Sequence, residues 1–233
     1  MIFQIGIENN TEGRSIAWDL EHPGCFAYSQ DGNNALNKMQ DAAINYSEWI
    51  TKHNNGQTWV EAHEMDIQHT ETWETYLIDE NYDRSNVGYE VNAWFLYDWK
   101  PLTGQDIECG ILLLNWSRDD LLQIVDGIDP GTLHTSYPGE RWSIDGILKH
   151  VVSAEWWYMD RLGLAFPQEE LPEESFKQLE VARSHLMQVL PSITNTEQVL
   201  GVDGELWSPR KMLRRAVWHE RDHTSHIQKL LEY

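Results

Sequence analysis

Positive charge is scarce in this sequence. Only 17 residues are Lys or Arg against 38 Asp or Glu, and the formal net charge is −21. Proteins bind phosphate backbones through clustered positive charge, so the composition argues against nucleic acid as a partner. Apolar runs long enough for a membrane-spanning helix, about 18 residues, are missing too, and the first residues lack the basic segment of a signal peptide. We therefore expect a soluble, cytoplasmic protein without a nucleic-acid or membrane partner.

Cysteine is equally scarce, with only Cys25 and Cys109. Their spacing matches no disulfide framework and no cysteine-based metal motif, so we interpret both as buried structural thiols of a reducing compartment. Apolar residues are plentiful by contrast: they make up 41% of the 233 residues, and 12 residues are Trp. This composition is sufficient for one or two packed cores and excludes a disordered protein.

The first hundred residues show strand periodicity followed by helix periodicity. Three short segments alternate apolar and polar residues or lie between turn-forming residues, which predicts three strands. These segments are residues 3–7, 15–18 and 25–28. After Gly32, apolar residues recur every three or four positions as far as Ile50, so we predict one helix that ends near His53. Residues 71–78 favour a further strand, and the aromatic-rich segment 89–99 is interpreted as a connector.

This β-β-β-α order includes a short sequence that resembles the HicB-like antitoxin domain. The sequence is Glu21-His22-Pro23-Gly24-Cys25-Phe26-Ala27, ahead of a helix that contains Ala35-Leu36. The resemblance implies a small α+β domain, which we assign to residues 1–100 together with the aromatic connector. No basic segment follows it, so the repressor role of that family is not carried over. We expect the domain to mediate dimerisation or to cap its neighbour.

From residue 103 onward the periodicity is helical. Four helical segments are separated by loops. They are residues 103–126, 143–162, 173–190 and 209–232. Capping residues mark three of the starts: Thr103 stands three residues before Asp106, Ser143 precedes an acidic first turn, and Ser208 precedes a proline. Four helices of this length close most simply on each other, so we predict an all-α four-helix bundle over residues 101–233.

Three histidines lie at positions where helical periodicity calls for apolar residues. His219 and His223 are four residues apart, so they stand one turn above each other on the last helix. His150 lies in the apolar part of the second helix of the bundle. Burying unpaired imidazoles is costly, and a shared divalent cation resolves this cost because neutral imidazole is a good metal ligand. Three protein ligands leave one coordination position open, as in catalytic zinc sites.

The neighbours of these histidines leave alternatives open. His226, three residues after His223, is either a fourth ligand or a residue beside the site, and we favour the second interpretation. A carboxylate often orients a metal-bound imidazole, and Glu155, Glu220 and Asp222 are near in sequence. We interpret Glu220 and Asp222 as ordinary surface carboxylates. No nucleophile elbow, glycine-rich phosphate loop or Cys-His pair is present, so no catalytic residue is assigned.

Three sequences in this half resemble the DinB-like bundle family. They are Trp142 to Val152, Glu155 to Trp157, and His219 to His223. The resemblance implies a four-helix metalloprotein whose site uses one His on the second helix and a His-x-x-x-His pair on the last. The matching metal ligands are His150, His219 and His223. The family resemblance makes zinc and nickel the expected metals and does not choose between them.

The same resemblance indicates a class of reaction. Relatives in the DinB-like family include transferases and isomerases that activate a low-molecular-weight thiol on the metal. We therefore expect a metal- and thiol-dependent S-transferase, or a hydrolase, that acts on a small molecule. The alternative is a non-catalytic module, either a metal-stabilised bundle or a stress-related binding protein, in which a fourth protein ligand closes the site. Bundles of this type often pair, so a homodimer is the expected assembly.

Overall fold

The computed structural model describes residues 2–62 and 65–232, and the chain forms two compact units. The first unit consists of Met1–Lys100 and Val199–Arg214, and the second consists of Pro101–Gln198 and Arg215–Tyr233. The predicted division into residues 1–100 and 101–233 differs from these units in residues 199–214. A strand-rich region therefore precedes a helical one, but a later segment of the chain also belongs to the strand-rich unit.

The first unit contains a four-stranded sheet. Its strands are β1 (Ile2–Thr11), β2 (Arg14–Asp19), β3 (Phe26–Ser29) and β4 (Asp66–Glu74), in the order β3-β2-β1-β4. β1 pairs antiparallel with β2 and parallel with β4. The three strands predicted before Gly32 are confirmed, and apolar side chains of β1 and β2 supply much of the buried core. The predicted strand 71–78 divides at Thr75 into β4 and β5 (Tyr76–Ile78).

The single helix predicted after Gly32 is wrong. The structure has two helices, α1 (Gly32–Asn37) and α2 (Met39–His53), separated at Lys38. Asparagine side chains compete with the helix for backbone hydrogen bonds, and three of the six residues of α1 are Asn. α2 then buries the apolar face that the spacing predicted. The predicted helix end at His53 is confirmed.

A short hairpin, β8 (Leu200–Val202) and β9 (Glu205–Trp207), belongs to the first unit. Glu205 is 2% exposed and accepts hydrogen bonds from the backbone N–H and the side-chain amide of Asn92. It also accepts from the Tyr89 hydroxyl at 3.1 Å and from the Trp207 indole at 2.8 Å. The Lys211 ammonium lies 3.9 Å from the same carboxylate. These contacts explain why residues 199–214 group with the strand-rich region.

The segment before the helical unit combines short strands and a turn. β6 (Arg84–Ser85) and β7 (Tyr89–Val91) pair with β5, and a 3₁₀ turn follows at Leu96–Trp99. Phe95 is fully buried, whereas Leu96 and Trp99 are exposed. The aromatic connector is therefore partly strand, partly turn.

The second unit is built from helices. They are α3 (Gly104–Val125), the short α4 (Pro130–Leu133), α5 (Ile144–Asp160), α6 (Ser175–Val189) and α7 (Pro209–Leu230), of which α7 contributes from Arg215 onward. The predicted capping box is present, since Thr103 and Asp106 exchange hydrogen bonds. Ser143 accepts from the Gly146 N–H at 3.2 Å and so caps α5. The four long helices predicted from periodicity are confirmed.

All four long helices contribute to one apolar core. Its buried members are Leu121, Val125, Ile144, Ile147, Leu148, Val151, Val152, Leu179, Ala182, Ile227 and Leu230. Burial of apolar area at this scale is the dominant favourable term in folding. Among the described residues, no helix is both long enough and apolar enough to cross a membrane.

We predict that Glu205→Ala lowers the free energy of unfolding by about 3–5 kcal/mol, because a buried ion pair loses one partner while Lys211 stays in the interior. Urea unfolding measures this change, and hydrogen exchange should show faster opening of the β8–β9 hairpin. Glu197→Ala, at an exposed carboxylate on the preceding loop, is the matched control and should change stability by no more than about 0.5 kcal/mol. Equal stability of the two variants would contradict this account of the hairpin.

Candidate metal centre

His219 and His223 stand on one face of α7. They are four residues apart, and successive turns of a helix bring such positions together. Their Nε2 atoms are 3.2 Å apart and their ring centroids 4.4 Å apart. The predicted pairing of these two side chains on one face of the last helix is therefore present.

His150 on α5 joins this pair. Its Nε2 atom lies 3.2 Å from the Nε2 atom of His219, and one ligand atom from each of the three histidines lies within 4.8 Å of the others. The Trp142 ring stacks on the His150 ring with centroids 4.5 Å apart and planes inclined by 23°. The stacking restricts the rotation of the imidazole, so His150 is held facing α7. We call His150, His219 and His223 the histidine cluster.

Burial determines the protonation state of His219. His219 is 8% exposed, and its pKa lies well below its usual value because burial disfavours the charged form. The neighbouring His223, His150 and Arg215 lower the pKa further by repelling a second positive charge. A neutral imidazole has one nitrogen with a free lone pair, which is the form that binds metals. His150 and His223 are half-buried, whereas His219 is buried.

His226 is not part of the histidine cluster. Its Nε2 atom lies 3.0 Å from a carboxylate oxygen of Glu140, and its ring centroid is 6.2 Å from that of His223. Both partners of this pair are about one-third exposed. Of the two interpretations of His226, the structure supports a residue beside the site.

Comparison with known proteins finds a family match in the helical part of the chain. Residues 113–227 match the model of the DinB superfamily. All three members of the histidine cluster lie in the matched residues. A crystal structure described as TT2238, a four-helix bundle protein, is 23% identical to the chain, with a TM-score of 0.43; the match covers 53% of this chain and 98% of that one. No curated protein matches the chain.

Two carboxylates of the helical unit lie in its interior. Glu220 is 1% exposed and Glu155 is 4% exposed, so the prediction that Glu220 is a surface carboxylate is wrong. Glu220 accepts hydrogen bonds from Arg118 at 2.5 Å and from Arg183 at 2.6 Å. Burial alone would raise the pKa of Glu220, but the two guanidinium groups lower it to about 2. Glu220 is therefore a carboxylate anion inside the helical unit.

The two arginines were not identified from the sequence, although a signal was present. Glu155 follows Val151 by four residues and Val152 by three, which places it on an apolar helical face. Glu220 follows the buried residues Ala216 and Val217 at the same spacings. Charged residues at inward positions require buried partners of opposite charge. Periodicity indicates that such partners exist but does not identify them.

We predict that the metal-free protein loses stability as the pH falls below 6.5. The unfolded chain protonates His219 near pH 6.5, whereas the folded chain keeps it neutral to lower pH, so acid favours the unfolded state. This residue contributes up to about 1.4 kcal/mol per pH unit. Urea unfolding with a chelator present, at several pH values between 7.5 and 5.5, measures the slope.

The control for this pH dependence is His219→Ala, which should show a smaller slope over the same range. His22 provides an internal contrast in the first unit, because the Asp19 carboxylate outweighs burial and raises its pKa. Its stabilising contribution is present below pH 6.5 and is lost as the pH rises. Identical slopes in the wild type and the His219→Ala variant would contradict the neutral state of His219.

Proposed function

We propose that the histidine cluster binds one divalent metal ion, zinc or nickel, through the Nε2 atoms of His150, His219 and His223. The spacing of these atoms supports the proposal. In tetrahedral coordination with metal–nitrogen distances of about 2.0–2.1 Å, ligand nitrogens lie about 3.3–3.4 Å from each other. The two measured separations are 3.2 Å. The neutral state of His219 favours coordination as well, because a metal does not have to displace a proton there.

The proposed site has an open coordination position. Three protein ligands with a fourth position for water or substrate are typical of catalytic zinc, whereas structural zinc has four protein ligands. His226, the nearest further histidine on α7, is paired with Glu140 and does not join the histidine cluster. This observation favours chemistry over the alternative, a non-catalytic metal-stabilised module.

We infer that the protein is a metal-dependent enzyme acting on a small molecule, either an S-transferase that uses a low-molecular-weight thiol or a hydrolase. A bound metal would lower the pKa of a coordinated thiol or water and so supply a nucleophile near neutral pH. The resemblance of this segment to the DinB-like family supports the thiol reaction. The residues of the chain have separate tasks: Trp142 orients His150, and the contact with Glu140 holds His226 beside the site.

For residues 1–100 we propose a HicB-like domain. Support comes from the order of three strands followed by helices, which the resemblance implies. A cytoplasmic location, a homodimeric assembly and the absence of a nucleic-acid partner stay predictions.

We predict that the wild-type protein, purified without a histidine tag, contains about one equivalent of zinc or nickel. His219→Ala and His223→Ala should each lose this metal, because two remaining histidines form a much weaker site. His226→Ala is the matched control on the same helix and should retain it. Elemental analysis after dialysis measures the content. A wild type that takes up neither zinc nor nickel would contradict the proposed metal site.

We also predict that a low-molecular-weight thiol changes the visible spectrum of the cobalt-substituted protein. Thiolate coordination at the open position introduces a sulfur-to-cobalt charge-transfer band, which an imidazole-only site lacks. The control is a carboxylate of similar size without a thiol group. If cobalt binds but no cellular thiol changes its spectrum, the S-transferase reaction is excluded and the hydrolase remains.

A further inference from the structure

Four charged side chains form a closed cluster in the interior of the second unit. They are Arg118, Arg183, Glu155 and Glu220, each less than 8% exposed, and we call them the ionic cluster. A terminal nitrogen of Arg183 lies 2.6 Å from a carboxylate oxygen of Glu155 and 2.6 Å from one of Glu220. Arg118 contacts Glu220 at 2.5 Å through Nε and Glu155 at 3.5 Å. Two positive and two negative charges therefore balance.

The four residues of the ionic cluster come from the four long helices, one residue from each. The two carboxylates lie on α5 and α7, which are the helices that carry the histidine cluster. The two arginines lie on α3 and α6, which carry none of the three histidines. Glu220 is adjacent to His219 in sequence, and Glu155 follows His150 by five residues. The carboxylate on each histidine-bearing helix, α5 or α7, thus contacts arginines on both α3 and α6.

The arginines are fixed by the backbone as well. Arg118 donates to the carbonyl oxygen of Leu179, and Arg183 donates to that of Leu114. The hydroxyl of Ser117 donates to Glu220 at 2.7 Å. A guanidinium group is planar, and its hydrogen bonds have fixed directions. The arginines therefore fix the positions of the carboxylates on α5 and α7, in addition to balancing their charge.

Stability alone does not explain this arrangement. Replacing a buried ion pair by apolar residues of similar volume is often neutral or stabilising, because desolvation offsets the attraction. The apolar core of this unit consists of Leu, Ile, Val and Ala, which tolerate small shifts in packing. A metal site does not tolerate such shifts: its ligands have to stay within about 0.5 Å and 10–20°. A 20° rotation of a helix moves an atom about 6 Å from its axis by about 2 Å.

We propose that the ionic cluster is a positioning device for the histidine cluster. It fixes the rotation of α5 and α7 about their axes and thereby holds the three imidazoles at the spacing that one metal ion requires. The proposal rests on the proposed metal site. It assigns Glu155, Glu220, Arg118 and Arg183 as positioning residues, which act through the helices that carry the ligands and do not contact the metal.

The decisive variant is the double substitution Arg118→Met with Glu220→Met in the full-length protein. It removes one positive and one negative charge and leaves the Arg183–Glu155 pair in place. The unfolding midpoint in urea should stay at or above that of the wild type, whereas zinc affinity should fall by about 10- to 100-fold. The cobalt-substituted variant should also show d–d bands of altered position and intensity, because the ligand geometry has changed.

The control is Val125→Ala, which creates a cavity in the same apolar core without touching the ionic cluster. This variant should be less stable than the wild type and yet bind zinc with unchanged affinity. A double variant with wild-type zinc affinity and wild-type cobalt bands would overturn the proposal. The proposal would also be overturned if the changes in zinc affinity of the two variants were proportional to their changes in stability.

A milder variant keeps the proposal testable if the double variant does not fold. Ser117→Ala removes one hydrogen bond to Glu220, and the fold should persist. In the metal-free form, the nitrogen NMR signals of His219 and His150 should shift relative to the wild type, and unchanged signals would overturn the proposal. This measurement needs no metal, so it tests the positioning role separately from metal binding. A wild type that binds no zinc contradicts the proposed metal site. The NMR signals of the metal-free protein test whether the ionic cluster positions the histidines.

Discussion

The interior of this protein contains many charges, and each has to meet a partner there. Helix α7 illustrates the constraint, since every residue from Pro209 to Glu220 is buried and five of them are Lys, Arg or Glu. Lys211 lies beside Glu205, Arg214 forms an ion pair with Asp98 at 2.7 Å, and Glu220 lies between two arginines. An apolar core alone would leave the orientation of such a helix loosely determined. Here the directions of the polar contacts determine it.

The histidine cluster is subject to the same constraint, that a buried polar group needs a partner, but it meets the constraint in a different way. Lys211, Arg214 and Glu220 meet counter-charges. His219, by contrast, is buried next to two further imidazoles and stays neutral. Three imidazole rings lie together there, and a neutral imidazole provides a nitrogen lone pair. The formal charge of −21 makes the protein as a whole attractive to cations. A divalent ion bound at this position would give the buried imidazoles a partner, as the ion pairs do for the charged side chains elsewhere on the helix.

Periodicity and capping residues predicted the helices of the second unit because both signals are local. The three histidines were recognised because they interrupt apolar stripes. The break at Lys38 was missed, since apolar spacing continues across it while the Asn residues before it weaken the helix. The partners of Glu205 and Glu220 were missed for another reason: Asn92 and Arg118 are more than 100 residues away. A sequence pattern shows that a side chain points inward, but only the folded chain shows which side chain it meets.

The membership of residues 199–214 in the first unit affects how the protein can be divided. The chain passes from one unit to the other after residues 100, 198 and 214. A single cut after Lys100 would separate Asn92 and Tyr89 from the Glu205 carboxylate that accepts their hydrogen bonds. The fragment 1–100 would then lack residues 199–214 of its own unit, whereas the fragment 101–233 would carry these residues along with the complete second unit. Cloning boundaries for this protein, and any search for its relatives by domain, therefore have to treat the strand-rich unit as discontinuous in sequence.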